Sequence, residues 1–326
     1  MKNFKRYFLL IIMPVFLTGA VIVSKKNIEN EVLLSWNDTV VKKRIIDFVT
    51  ETTTEGSDKF IPVSERIAVF DNDGTLWCEQ PLYFEMQFSL ESAEDIVKKQ
   101  TALQKKSGMK MPASENKNSS EKNILEAFII SHTSVGLDLF DKMAKSWIST
   151  KIHPRFHKPY KELTYLPMVE LLHYLQDHQF KTYIVSGGSS MFIRNFSREV
   201  YGIPEEQVIG TMFEAEYKEG TINLKPKLWL NDDKSGKPEA IYQIIGKKPV
   251  LAFGNSDGDY QMLEWISTNS LPHLSLILHH TDAKREYAYD NPSQIGELKQ
   301  ALADAPKKGW IVADMKKDFK KIFNFE

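Results

Sequence analysis

A single cysteine, Cys78, occurs in the 326 residues, so no disulfide can form within the chain. That fits a reducing compartment and is equally permitted in an oxidising one. Basic excess is also missing. Forty-two Lys and Arg stand against 43 Asp and Glu, and a formal charge of −1 excludes a general electrostatic affinity for nucleic acid. There is no internal repeat, and no cysteine follows the N-terminal apolar run, which excludes a lipoprotein anchor. Core-forming material, by contrast, is plentiful. With 42% hydrophobic residues the chain can build one large domain or two modest ones.

Long apolar runs are scarce, and the longest is at the start. Lys2, Lys5 and Arg6 precede an uninterrupted stretch of apolar or small residues from Tyr7 to Val23, followed by Lys25 and Lys26. A basic lead and an apolar stretch read as a secretory signal or an uncleaved anchor. The run is close to the short limit of a spanning helix, roughly 17–25 residues. Thr18-Gly19-Ala20 offers a small-residue cleavage site, while Val21, Ile22 and Val23 carry the apolar character past it. Residues 1–24 are therefore expected to be a signal peptide or an N-terminal membrane anchor. The rest is expected to be exported, either periplasmic or membrane-anchored with its folded part outside the cytoplasm.

Beyond this segment, Val40, Val41, Ile45, Ile46 and Val49 follow helical spacing, with Asn37 or Asp38 available as a cap. Three short apolar runs then end abruptly in polar or glycine-rich turns: Ile67–Phe70 before Asp71, Tyr183–Val185 before Ser186, and Val250–Phe253 before Gly254. Runs of this kind read as strands buried on both faces of a parallel sheet, whose ligands sit beyond the carboxyl ends of the strands. A helix precedes the second run, with Pro167 in its first turn and Met168, Leu171, Leu172 and Leu175 on one face. Helix and buried strand in alternation predict an α/β fold, a doubly wound, Rossmann-like parallel sheet. Residues 79–165 break the alternation. Helix-prone stretches at Leu82–Lys105 and Glu121–Thr150 flank a polar tract, Gly108–Asn123, and the whole is too long for a strand-to-helix connection. The expected division is thus a core of residues 25–78 and 166–326 with a mainly helical cap at 79–165. A small hairpin is expected around Glu219-Gly220, from Met212–Tyr217 and Thr221–Leu224.

The chemistry gathers at the strand ends. In Asp71-Asn72-Asp73-Gly74-Thr75-Leu76, two carboxylates two positions apart share a crevice if the backbone turns, which Gly74 allows. Such a pair divides labour: one carboxylate attacks phosphorus, and the other gives a proton to the leaving oxygen and later takes one from water. An ordinary Asp-Gly turn explains Gly74 but not two mutually repelling acids. Ser186-Gly187-Gly188, a small polar residue before glycines, presents N–H donors to an anion if it opens a helix. Lys237 precedes Pro238 at the start of a helix, Glu239–Ile245, that leads into the third strand; of its rivals Lys225 and Lys227, Lys225 instead ends the hairpin. Gly254-Asn255-Ser256-Asp257-Gly258-Asp259 follows that strand.

These four segments resemble, in order, the four motifs of the haloacid dehalogenase-like hydrolase superfamily, in its phosphoserine phosphatase-like branch, over about Arg66 to Met262. The resemblance implies a phosphatase acting on small-molecule phosphate monoesters, with Asp71 as covalent nucleophile and Asp73 as general acid and base. It implies that Ser186, Gly187 and Lys237 bind phosphate, and that Mg²⁺ is held by a set comprising Asp71, Asp73, Asn255 and Asp259. Asn255 stands where the family usually has its first acid. Either its amide oxygen is the direct ligand, with Asp259 or Asp257 compensating, or one of those acids binds instead. The 79–165 insert corresponds to the family's cap, which closes over the site and selects the leaving group. Arg155, Tyr83 and Phe84 are candidate substrate contacts. His279, His280 and Asp282 border the last strand and Cys78 is read as packing. Asp73 favours phosphate over dehalogenase chemistry, which does not need a second acid. A phosphotransferase, or a non-catalytic envelope binding protein with the same fold, are the alternatives.

Overall fold

The computed structural model describes residues 32–107 and 120–326. The expected signal peptide or anchor, residues 1–24, and most of the polar tract Gly108–Asn123 lie outside the described residues. Among the described residues no helix is long and apolar enough to cross a membrane.

Helix α1 (Val40–Thr53) leads into strand β1 (Ile67–Phe70). Three helices follow, α2 (Phe84–Ser107), α3 (Ser120–Thr133) and α4 (Leu137–Thr150), before α5 (Leu166–Asp177) and β2 (Lys181–Ser189). Short helices α6 (Ser190–Arg194) and α7 (Ser197–Tyr201) precede the hairpin of β3 (Val208–Lys218) and β4 (Thr221–Leu230). The chain continues through α8 (Gly236–Ile245), β5 (Leu251–Gly254), α9 (Tyr260–Ile266), β6 (Leu274–Thr281) and β7 (Ala288–Tyr289). It closes with α10 (Gln300–Lys308), β8 (Ile311–Asp314) and α11 (Met315–Asp318).

The strands lie in the order β4-β3-β2-β1-β5-β6-β7, and β8 pairs with β6. Pairing is parallel from β3 through β6 and β8; only β4 and β7 run antiparallel to their neighbours. The chain steps outward from β1 to β2 and β3, then returns to β5 on the other side of β1. That reversal opens a crevice at the carboxyl end of β1. Both faces of the sheet are covered. Ala68 and Phe70 of β1 pack with Ile45, Val49, Leu171 and Leu175, while Ile67 and Val69 pack with Ala240, Ile241, Met262 and Leu263. Two-sided burial is why these strands are continuously apolar, and each buried Val, Ile or Phe contributes about 1.5–3 kcal/mol.

Several elements depart from expectation, among them the hairpin, whose strands extend to Val208–Lys218 and Thr221–Leu230 and so carry both Lys225 and Lys227. The first helix has Thr39, not Asn37 or Asp38, at its N-cap position. Strand β2 does not stop before Ser186 but runs to Ser189, with a register shift against β3 between Ser186 and Ser189. The Ser-Gly-Gly segment is thus a bulged strand end, and the helix begins only at Ser190, capped by the Ser189 hydroxyl. Gly210 of β3 makes room for it: a Cβ there would lie 2.6 Å from the Gly188 carbonyl oxygen. Finally, the stretch Glu121–Thr150 is two helices, with Gly136 at the N-cap position of the second.

The insert is helical as expected, but its buried side chains do not form a core of their own. Phe84, Phe88, Phe140, Ala144 and Trp147 belong to the same buried cluster as Ala68 and Phe70. Phe88 meets Phe192 of α6 at 5.1 Å between ring centroids, and Trp147 stacks on Tyr160 at 4.6 Å. The insert is pinned to one face of the sheet beside the crevice.

Candidate active site

Asp71 continues the ladder between β1 and β5, donating its N–H to the Phe253 carbonyl at 2.9 Å. The chain then turns back. The Asn72 carbonyl accepts from the N–H groups of Thr75 and Leu76, and Gly74 adopts φ +72°. A Cβ at Gly74 would lie 2.1 Å from Asn255 Nδ2 and 2.4 Å from Glu79 Oε1, so glycine is needed for both conformation and space. The turn brings Asp71 and Asp73 to the wall of one cavity of about 490 Å³.

Lys237 enters that cavity from the first turn of α8. Its Nζ lies 2.6 Å from Asp71 Oδ1 and 2.6 Å from Asp259 Oδ1, and donates to the Val185 carbonyl at 3.0 Å. Burial pushes the ammonium toward neutrality, but the Asp259 and Asp71 carboxylates outweigh it and hold its pKa above the ordinary lysine range. Lys225 and Lys227 are instead paired with Glu216 and Glu214 on the exposed hairpin. Asp73 accepts from Trp77 Nε1 at 2.8 Å, and burial pushes its carboxyl up to about 6 against that hydrogen bond.

The loop after β5 is organised by Asp259, which is fully buried. Its Oδ1 meets Lys237, and its Oδ2 accepts from the N–H groups of Asn255 and Ser256 at 2.9 and 3.1 Å. Asp259 therefore stands behind the cavity wall, with both oxygens engaged. Asp257 points elsewhere: its carboxylate accepts from the N–H groups of Lys299, Gln300 and Ala301 and caps α10, which removes it from the candidate ligands. The Asn255 amide is held at both ends, Oδ1 by the Thr75 hydroxyl at 3.1 Å and Nδ2 by Glu79 Oε1 at 2.8 Å.

Asp71–Leu76, Ser186–Gly188, Lys237 and Gly254–Asp259 thus meet, in chain order, at the carboxyl ends of β1, β2 and β5. A family model described as haloacid dehalogenase-like hydrolase matches residues 68–264, more than half of the chain. The chain belongs to the haloacid dehalogenase-like hydrolases. Solved structures similar to this hydrolase include a conserved functionally unknown protein from Anaerococcus prevotii DSM 20548, at 16% identity and TM-score 0.47, covering 74% of this chain and 86% of that one. A protein of unknown function from Bordetella pertussis Tohama I matches at 16% identity and TM-score 0.44, covering 77% of this chain and 99% of that one. A phosphoserine phosphohydrolase-like protein from Francisella tularensis subsp. tularensis SCHU S4 matches at 17% and TM-score 0.38, covering 74% and 98%. No curated protein sequence matches the chain.

Within this hydrolase the glycine pair lines the cavity through Gly187 and Gly188, while the buried Ser186 hydroxyl accepts from the Gly188 N–H at 3.1 Å. Tyr83 lines the cavity, but Phe84 is buried against Trp77 and Tyr160. Arg155 lies outside it, donating to the carbonyls of Ala283 and Lys284 and covering the Tyr287 ring at 4.3 Å. His280 supports the Asp71–Leu76 turn from behind: Nε2 lies 2.7 Å from the Gly74 carbonyl and Nδ1 3.1 Å from Glu286. His279 meets Asp290, and Asp282 pairs with Arg285. Cys78 is buried and donates to Glu286, and burial pushes its thiol far above the reactive range.

Sequence reasoning missed three polar residues. Glu79 lines the cavity beside Asp71 and Asp73. Glu85 of α2 accepts from the Ser189 N–H at 2.7 Å and meets the buried His132 of α3 at 2.9 Å, tying the insert to the end of β2. Glu85 reads in sequence as an ordinary first-turn acid and His132 as one residue of a helix face; only Glu79, eight residues after Asp71, carried a proximity signal.

The cavity wall carries Asp71, Asp73, Glu79, Glu85 and Asp233 against Lys237. This excess of hard oxygen donors suits Mg²⁺. Among the described residues no three His, Cys, Asp or Glu side chains form a ready-made cage. Mg²⁺ sites are ordinarily completed by water and phosphate oxygens around one or two carboxylates, so the residues present fit the ion.

Proposed function

We propose that this hydrolase is a magnesium-dependent phosphatase, cleaving small phosphate monoesters through an aspartyl-phosphate on Asp71 with Asp73 as general acid and base. The observation that carries the reading is the shared cavity: two carboxylates on one turn, with the Lys237 ammonium 2.6 Å from Asp71. In the first step an Asp71 oxygen bonds to phosphorus while the bond from phosphorus to the ester oxygen breaks, and Asp73 delivers a proton to that oxygen. In the second, Asp73 takes a proton from water as the water oxygen attacks phosphorus and the Asp71 carboxylate leaves. A carboxyl near about 6 suits both transfers around neutral pH. Lys237, the Gly187 N–H and the Ser186 segment bind the equatorial oxygens, and Asp259 fixes Lys237.

Asp71 and Asp73, with Asn255 beside them, would hold Mg²⁺, whose charge offsets that of the phosphoryl oxygens. The basic lead and apolar run at residues 1–24 support export, either periplasmic or anchored, where water is the abundant acceptor; this favours hydrolysis over phosphotransfer. Asn255 in an acid's place favours the rival reading of a non-catalytic binding protein. Incubating the full-length chain with a chromogenic phosphate ester, with Mg²⁺ or with EDTA, separates the two. Metal-dependent release of phosphate supports the phosphatase, and its absence over a panel of phosphometabolites supports the binder.

A further inference from the structure

Asn255 is neutral where the resemblance places an acid, and Glu79 is the acid hydrogen-bonded to it. Its carboxylate is 2% exposed, lines the cavity with Asp71 and Asp73, and accepts from Asn255 Nδ2 at 2.8 Å and the Tyr289 hydroxyl at 2.7 Å. Both donors are neutral and both act on Oε1. Among the described residues Glu79 has no cationic partner.

The surroundings are shaped to admit it. A Cβ at Gly74 would lie 2.4 Å from Glu79 Oε1, and a Cβ at Gly296 would lie 2.1 Å from the same atom. Both glycines adopt positive φ, +72° and +67°, and face the carboxylate from different loops. Tyr289, which donates to Glu79, is itself positioned by stacking on His280 at 4.4 Å between ring centroids. The Glu79 carboxyl is thus held by Asn255, Tyr289 and the space left at Gly74 and Gly296, on the wall of the cavity that carries Asp71 and Asp73.

We propose that Glu79 supplies the negative charge for the divalent cation that Asn255 does not, the Asn255–Glu79 pair together replacing a single acid on the loop after β5. The proposal rests on the magnesium reading of the site. Asn255 then serves as a neutral hinge: its Nδ2 holds Glu79 in place while its Oδ1 is fixed by Thr75.

The test is binding of the metal alone to the full-length chain in a mild detergent, with Mn²⁺ followed by electron paramagnetic resonance and Mg²⁺ by calorimetry. Glu79→Gln keeps the acceptor oxygen and removes the charge. It should weaken both ions about 10–100-fold, the range expected when a group beside a metal is lost. Adding Asn255→Asp to Glu79→Gln moves the charge back across the hydrogen bond and should restore most of the affinity. Tyr289→Phe, which disturbs only the position of Glu79, should cost less than Glu79→Gln. Parental affinity in Glu79→Gln overturns the proposal and leaves the magnesium reading standing. No binding of either ion by the parent chain overturns both. Should Glu79→Gln not accumulate in folded form, Asn255→Asp alone decides: a second carboxylate beside Glu79 should tighten Mn²⁺, and an unchanged affinity overturns the proposal.

Discussion

On one side of the cavity, Asp71, Asp73 and Lys237 project from a strand end, a tight turn and a helix start, each fixed by a hydrogen bond to a buried partner. On the other, Met86, Ile124, Leu125 and Phe128 come from α2 and α3, joined by Leu228 of β4. Leu125 is 56% exposed and Leu228 38% exposed. The polar side is preorganised, as charge stabilisation demands, because donors that must reorient during reaction lose their advantage. The apolar side offers contact area with no fixed directions, which suits discrimination among leaving groups. On the proposed reading, chemistry and selection would be carried by different parts of the chain, and the contrast can be broken experimentally on either side.

The largest effect is expected from Asp71→Asn. Removing the proposed nucleophile should lower kcat by about 10⁴-fold or more and abolish the acid-quenched phosphoenzyme expected in intact-protein mass spectrometry of the parent. Turnover near the parental rate would sink the covalent scheme. Asp73→Asn should come next, with a loss of about 10²–10⁴-fold spread over both chemical steps. Phosphate binding measured by calorimetry without added metal should survive, since Lys237 and the Gly187 N–H remain; a comparable loss of phosphate affinity would make Asp73 a binding residue.

The polar side was far more legible in the sequence than the apolar one, for a physical reason. Strand ends are punctuated: the apolar run Ile67–Phe70 followed by Asp71 and Gly74 marks both the buried strand and the turn beyond it. Lys237 was likewise marked by Pro238 and the helix it opens. What a bulge does was not marked, because Gly187-Gly188 suits a helix start as well as an extended strand, and pairing with β3 decides between them. Glu79 and His280 are poorly marked because their hydrogen-bond partners, Tyr289 and Gly74, lie 210 and 206 positions away and only the fold brings them together. The insert's residues Met86, Leu125 and Phe128 carry no pattern that separates a cavity wall from a helix face packed on the core.

Beneath the polar side, Asp232 offers a smaller effect and a sign to check. It is fully buried, and neither carboxylate oxygen has a hydrogen-bond partner among the described residues. Burial pushes its carboxyl up to about 7, opposed by the Lys237 charge and by the nearby Ser186 N–H, and aided by Asp233 and Asp259. The folded state then holds a proton that the unfolded chain releases near 3.8, so this residue makes the protein lose stability as pH rises from about 4 to about 7. The gap corresponds to at most about 4 kcal/mol. Asp232→Asn should remove that slope, so its Tm advantage over the parent should be greater at pH 8 than at pH 4.5. An equal difference at both values would mean that Asp232 is ionised throughout.

The apolar side yields the smallest effect and the sharpest test of the contrast. Leu125→Ala removes an exposed wall residue without touching the core, so stability should change by less than about 0.5 kcal/mol. If α3 selects the leaving group, kcat/KM should fall for phosphate esters with bulky apolar alcohols by up to about tenfold, the value of a few lost methylene contacts. For a compact alcohol that does not reach α3, kcat should be unchanged. The informative quantity is therefore the ratio between the two substrates. An equal loss on both would mean that Leu125 acts on closure of the site, and that the two sides of the cavity are coupled after all.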